Sequence, residues 1–247
     1  MHWKQIDIIA RSILQMIVYV GSTIIWASLS LLAAPLPYPK RYWLITRWTH
    51  FNLWALERIC RIRVEVQGVE NIPPHGGIVM AKHQSAWETL ALQRWFNPQT
   101  WVLKRELLRL PLFGWAIALL DPVAIDRGSA ASAIRQLSRQ GAERLADGRW
   151  VVIFPEGTRM PPGVRGQYHA GGAMLAERTG AVVVPVAHNA GRCWGRNSFI
   201  KQPGLIQVRI GPPIESTGRR ASEIIRLVED WIEAQMAEID PPFTAAS

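Results

Sequence analysis

His83 and Glu88 stand five residues apart in the stretch KHQSAWETL, directly after the apolar run GGIVMA. An imidazole with a carboxylate beside it is the base-and-orienter pair of general-base catalysis. The acid keeps one ring nitrogen protonated and leaves the other to take a proton from a substrate. No serine nucleophile is required if the substrate brings its own hydroxyl. A lone histidine is more often structural, and residues five apart on a continuous helix lie about 140° apart around the axis, too far round to meet. They meet if His83 sits in a loop and Ser85 caps a helix starting near Ala86, with Glu88 in its first turn. An acid there also gains from the helix dipole.

A second apolar run, WVVIFPEGTR, ends in Pro155, Glu156, Gly157, Thr158 and Arg159. A glycine, a hydroxyl and an arginine at a strand end suit an anion such as a phosphate. Glu156 is placed to hydrogen-bond a polyol hydroxyl or to hold the arginine, although an ordinary β-turn with a surface ion pair has the same composition. Lys104 and Arg105 end a third apolar run. No GxxxxGK[ST], GxGxxG or HExxH pattern is present, so nucleotide hydrolysis, dinucleotide redox and zinc-protease chemistry lack support. Cys60 and Cys193 are far apart without CxxC spacing. They suggest neither a metal site nor a disulfide and fit a reducing compartment.

These groups need elements to position them. Residues 64–69, 77–82, 100–104, 122–126, 151–155, 181–187 and 207–211 read as strands, rich in valine and isoleucine and punctuated by Gly or Pro. Residues 85–96, 106–120, 129–147, 170–180 and 222–239 read as helices. Helices interleaved with buried strands predict an α/β domain of two or three layers over residues 63–247.

Residues 1–62 predict something different, a membrane-associated helical segment. Residues 12–38 carry no charge, a run long enough to cross a hydrocarbon core that needs ~20 apolar residues. A cleaved signal peptide is the competing reading, but the run is long for one and its cleavage site poor. Residues 40–63 alternate Lys40, Arg41, Arg47, Arg58, Arg61 and Arg63 with Trp43, Trp48, Phe51 and Trp54, a helix fit to lie in a membrane interface. Either the first segment spans and the second rests on the surface, or the pair forms a hairpin dipping into one leaflet. The net charge of +9 points to an anionic partner. With twelve tryptophans concentrated toward the amino-terminal half, membrane lipid comes ahead of nucleic acid.

HQSAWE, KRELLRLPLFG, FPEGTR and VVPVAHN, in this order and spacing, resemble the four blocks of the glycerolipid acyltransferase family, over roughly residues 60–215. The resemblance implies a mixed sheet flanked by helices with an amino-terminal membrane anchor. It also implies acyl transfer from an acyl thioester to the sn-2 hydroxyl of 1-acyl-glycerol 3-phosphate. His83 would be the general base and Glu88 its orienter, where the family has aspartate. Lys104 or Arg105, Arg127, Glu156, Gly157, Thr158 and Arg159 would hold the glycerol phosphate; the fourth block is associated with the acyl-donor side. No metal or bound cofactor is implied, since acyl-CoA or acyl-carrier protein is consumed as co-substrate. The expected setting is the bacterial inner (cytoplasmic) membrane with the site on the cytoplasmic side. Three alternatives stay open: another acceptor (glycerol 3-phosphate, a lyso-aminolipid or a lysophospholipid), a non-catalytic membrane-binding protein, and a nucleic-acid binder.

Overall fold

The computed structural model describes residues 2–126 and 128–241. A helical hairpin comes first, α1 (His2–Leu31) and α2 (Tyr38–Cys60). Strands β1 (Ile62–Gln67), β2 (Ile78–Ala81), β3 (Gln99–Lys104), β4 (Val123–Ile125), β5 (Trp150–Ile153), β6 (Val183–His188) and β7 (Gly204–Ile210) follow. Between and after them come α3 (Trp87–Ala91), α4 (Phe113–Ala118), α5 (Ala130–Ala146), α6 (Gly171–Thr179), α7 (Ala190–Cys193) and α8 (Ala221–Ile239). All seven runs read as strands are strands. Predicted helix 85–96 is a short α-helix continued by a 3₁₀ turn at Leu92–Arg94, and helix 106–120 is a 3₁₀ turn, Arg105–Arg109, before α4. Pro111 accounts for that break, because it cannot continue a helix.

The sheet order is β1-β7-β6-β2-β5-β3-β4, mixed as expected, with β6 and β7 antiparallel and the other neighbouring strands parallel among the described residues. Both faces are covered. Val79 and Ala81 of β2 pack with Leu53 and Leu56 of α2 and Trp87 of α3. Ile78 and Met80 point the other way, against Leu137 of α5, Leu175 of α6 and Ile224, Val228 and Ile232 of α8. Fully buried β2 reads as a continuous apolar run because strands covered on both faces have no solvent side. Its carboxyl end lies at the centre of the sheet, where open α/β sheets place ligands.

α1 lies antiparallel along α2. Arg11 Nη1 donates to Ile59 O at 2.8 Å, Asn52 Nδ2 to Ser22 Oγ at 3.0 Å, and Trp26 Nε1 to Leu44 O at 3.3 Å. Ser12 Oγ accepts from Lys201 N at 3.0 Å, joining α1 to the loop before β7. The outward face of α1 carries Trp3, Ile6, Ile9, Ile13, Ile17, Val20 and Ile24, all exposed. Trp3–Leu31 is apolar and long enough to cross a membrane by length and composition.

Candidate active site

β2 delivers His83 into the turn before α3, and four backbone hydrogen bonds fix that turn. His83 N donates to Glu156 Oε2 at 3.0 Å, and Met160 N to His83 O at 2.7 Å. Gln84 N and Ser85 N both donate to Glu88 Oε1, at 2.9 and 2.7 Å. Ser85 Oγ accepts from Trp87 N at 3.1 Å. The spacing Ser85-x-x-Glu88 is a capping-box pattern, with the acid reaching back to the serine amide. That reach-back brings Glu88 Oε1 to 2.8 Å from His83 Nδ1. The expected loop-and-cap geometry is what lets residues five apart meet.

The His83 ring stacks on Phe154, centroids 4.0 Å apart and planes inclined by 13°. With Nδ1 held by Glu88, Nε2 faces the cavity and has no hydrogen-bond partner among the described residues. Glu88 is wholly buried. Burial alone would raise its pKa; the nearby His188, the His83 hydrogen bond and the Ser85 amide outweigh that and hold the carboxyl below its usual range. His188 Nε2 lies 3.9 Å from Glu88 Oε2 and donates to Lys82 O at 2.8 Å. Burial pushes the His188 pKa down, against the opposing pull of Glu88.

A cavity of about 1150 Å³ opens in front of His83. It runs between Tyr19, Trp26 and Ile45 of the helical hairpin, and reaches Phe113 and Ile117 of α4 and Leu137 of α5. Its polar wall is Gly157, Thr158 and Arg159, with Lys104 farther along. Gly157 adopts φ +66°, a left-handed turn conformation open to glycine, where the chain turns along the cavity wall. Arg159 Nε is buried with no hydrogen-bond partner among the described residues.

The remaining expected residues divide. Lys104 lines the cavity, whereas Arg105 Nη2 bonds Gln136 Oε1 at 3.3 Å on an exposed surface and lies outside the lining. Arg127 lies outside the described residues. Glu156 touches the cavity, but its oxygens point into the protein: Oε2 takes the His83 amide, and Oε1 takes Lys82 Nζ at 2.7 Å and Gly166 N at 3.1 Å. It braces the loop that carries His83.

Sequence reasoning missed that brace. Lys82, only 1% exposed, also donates to Glu233 Oε1 of α8 at 2.9 Å and to Val164 O at 3.1 Å. Tyr168 Oη shares Glu233 Oε1 at 2.7 Å. Gln84 Nε2 donates to Asp240 Oδ2 at 2.6 Å, so the end of α8 grips the same turn. The available signal was a lysine closing an otherwise apolar central strand.

Residues 63–189 match the family model described as Acyltransferase. The chain is 45% identical over 236 residues to the 1-acyl-sn-glycerol-3-phosphate acyltransferase of Pseudomonas aeruginosa, covering 94% of this chain and 92% of that one. It is 29% identical over 177 residues to 1-acyl-sn-glycerol-3-phosphate acyltransferase alpha of Mus musculus, covering 68% and 60%. The fold is similar to the crystal structure of the 1-acyl-sn-glycerophosphate (LPA) acyltransferase, PlsC, from Thermotoga maritima. The TM-score is 0.81 at 23% identity, over 98% of this chain and 99% of that one.

Proposed function

The chain belongs to the acyltransferase family, and from that premise we propose that it moves an acyl group from a thioester onto the sn-2 hydroxyl of 1-acyl-glycerol 3-phosphate, giving phosphatidic acid. One observation carries the reading: His83 presents a free Nε2 to a large, mostly apolar cavity while Glu88 pins its Nδ1 at 2.8 Å.

The chemistry follows from that geometry. His83 Nε2 takes the proton of the acceptor hydroxyl as its oxygen attacks the thioester carbonyl. Glu88 keeps Nδ1 protonated and stabilises the imidazolium as it forms, the contribution of a positioned base being about 10² to 10⁴ in rate. The tetrahedral intermediate then collapses, the carbon–sulfur bond breaks, and the leaving thiolate takes the proton from Nε2. The products are an ester and a free thiol, and the imidazole returns to its starting state. Arg159, with Thr158 and Lys104 on the same wall, orients the glycerol phosphate; the apolar stretch of the cavity receives acyl chain, at ~0.8 kcal/mol per buried methylene. Glu156 acts on the reaction by holding the His83 amide. Acyl-CoA or acyl-carrier protein serves as the consumed donor.

We place this site at the inner membrane, facing the cytoplasm, a reading that the apolar helical hairpin supports. α1 touches α2 and the α/β domain through Arg11, Ser12, Ser22 and Trp26 while its opposite face is apolar and exposed. A helix gripped by the domain along its middle cannot also be surrounded by hydrocarbon. The arrangement supports the dipping alternative, with α1 in the plane of one leaflet.

Acyl transfer from acyl-CoA, with lysophosphatidate offered beside glycerol 3-phosphate and neutral lysolipids, tests the acceptor. Lysophosphatidate is expected to win. Preference for another acceptor with retained dependence on His83 would move the chain elsewhere within the family.

A further inference from the structure

A smaller pocket of about 290 Å³ adjoins the catalytic cavity and shares Ala86, Arg159 and Asn197 with it. The 194–201 loop, between α7 and β7, forms its far wall, and Met16 of α1 its near one. Arg159 and Lys201 line this pocket and Arg196 lines the adjoining cavity, and none of the three has a carboxylate partner among the described residues. Arg159 lines both spaces, and its Nε is buried and unbonded. Arg196, on the wall of the larger cavity, donates from Nη1 to the Arg159 carbonyl at 3.3 Å. Lys201, 2% exposed, donates to Phe199 O at 2.8 Å and stands over the Trp194 and Phe199 rings at 4.9 and 5.4 Å. Burial lowers the pKa of its ammonium.

Lys201 and the buried Nε of Arg159 are withdrawn from water without a counter-charge, which is costly, and an anion settling between them, within reach of the exposed Arg196, removes that cost. Position tells which anion. The pocket is built against the inner face of α1: Ser12 Oγ holds the Lys201 amide, and Tyr19 sets its ring edge-on to Trp194 at 6.2 Å. Ile13 and Ile17, on the outer face of the same stretch, are exposed. With α1 in the plane of one leaflet, as proposed above, a group bound here would sit at the depth of lipid headgroups.

We propose that this pocket binds the phosphomonoester of the lysolipid acceptor between Arg159, Arg196 and Lys201, making the 194–201 loop the element that selects a phosphorylated acceptor. The inference rests on the acceptor proposed above and extends the phosphate site to two residues outside the FPEGTR stretch.

The test uses the full chain in vesicles of phosphatidylethanolamine and phosphatidylglycerol. Acyl-CoA and lysophosphatidate are varied separately, and 1-monoacylglycerol serves as the phosphate-free acceptor. For Arg196→Gln and Lys201→Met, the acceptor KM should rise about tenfold or more, the scale of one lost charge-assisted hydrogen bond. kcat and the donor KM should hold within about twofold on the same scale. Preference for lysophosphatidate over 1-monoacylglycerol should shrink in step, and Lys201→Arg should restore most of it. Arg196 is exposed, so Arg196→Gln carries the test if Lys201→Met fails to fold. An unchanged acceptor KM would overturn the proposal, as would a rise in the donor KM instead, which would assign the anion to the thioester carrier. Failure of the unaltered chain to use lysophosphatidate would overturn the acceptor assignment and this proposal together. Normal use that ignores both variants would overturn this proposal alone.

Discussion

Lys82 and His83 leave the end of β2 in opposite directions. Lys82 continues the face of Ile78 and Met80 and meets Glu233 of α8; His83 continues the face of Val79 and Ala81 and meets Glu88 of α3. The two-residue period of a strand sends neighbours to opposite sides. On the lysine side every polar group is matched: three acceptors surround Nζ, and Glu156 and Glu233 share its charge. On the histidine side one ring nitrogen is matched and the other faces the cavity. The closed cluster holds the turn still, and the open one has a valence left for chemistry. Rigidity and reactivity are thus divided between adjacent residues.

Removing the reactive half should have the largest effect. His83→Ala is expected to lower kcat by about 10² to 10⁴, worth ~3–5 kcal/mol of transition-state stabilisation. Its denaturation midpoint should stay near that of the unaltered chain, because the ring is held by one stacked phenyl and one acid. A stopped-time acyl-transfer assay beside a urea titration reads both. Full activity in His83→Ala would end the general-base reading.

Removing the rigid half should do the reverse. Lys82→Met leaves the buried Glu156 and the partly exposed Glu233 without their cation, and breaking a buried pair such as Lys82–Glu156 from one side costs about 3–5 kcal/mol. Chemical denaturation should show that loss. Whatever protein remains folded should bind acceptor less well ordered rather than lose the base outright. Lys82→Met combined with Glu233→Gln should recover part of the stability, since only one carboxylate then needs a partner. A wild-type midpoint for Lys82→Met would mean that the cluster is no brace.

Acidification separates the two regions by a smaller margin. His188 has a lowered folded pKa, so below its ordinary value of 6.5 the unfolded chain takes up a proton that the native chain refuses. Stability then rises with pH through that window and falls as pH drops below it. Glu88 is also lowered, so its contribution is present above its ordinary value of 4.5 and lost as pH falls through the native value. Both slopes have one sign, each limited to about 1.4 kcal/mol per pH unit. His188→Gln should flatten the decline between about pH 7 and 5 and leave the lower-pH loss intact. A decline unaltered in that variant would place the proton elsewhere.

The strands were legible because buried β-branched runs bounded by Gly or Pro have few other readings, and the His83–Glu88 contact was legible because Ser85 starts a helix between them. From the sequence Glu156 reads as a group for a polyol hydroxyl or for the arginine, because an acid in a strand-end turn has no local mark of facing inward. Its partners, Lys82 and Gly166, are set by how β2, β5 and the 160–170 loop come together. Glu233 was invisible for the same reason at longer range: its lysine is 151 residues away, and on α8 alone it reads as a surface acid. The charge-free run 12–38 suggested a span or a dip with equal force. Its contacts with the rest of the fold, such as Lys201 N on Ser12 Oγ, join residues 189 apart and leave no trace in the local pattern.

The finest probe of the division is the acid itself. Glu88 Oε1 takes three hydrogen bonds, from His83 Nδ1 at 2.8 Å and from the Gln84 and Ser85 amides at 2.9 and 2.7 Å. Aspartate, the residue the family resemblance leads one to expect here, is one methylene shorter. The start of α3 is tied down by Ser85 Oγ and by Met160 N on the His83 carbonyl, so the backbone has little freedom to bring a shorter acid forward. Glu88→Asp should therefore keep the amide contacts and lengthen the one to His83. The expected result is a kcat lower by about tenfold, ~1.4 kcal/mol, with both KM values unchanged. If Glu88→Asp is as fast as the unaltered chain, the turn shifts to meet its acid, and the stillness credited to the Lys82 side does not extend to the catalytic pair. If it is slower by the expected amount, the turn is rigid on both sides, and the extra methylene of Glu88 is matched to it.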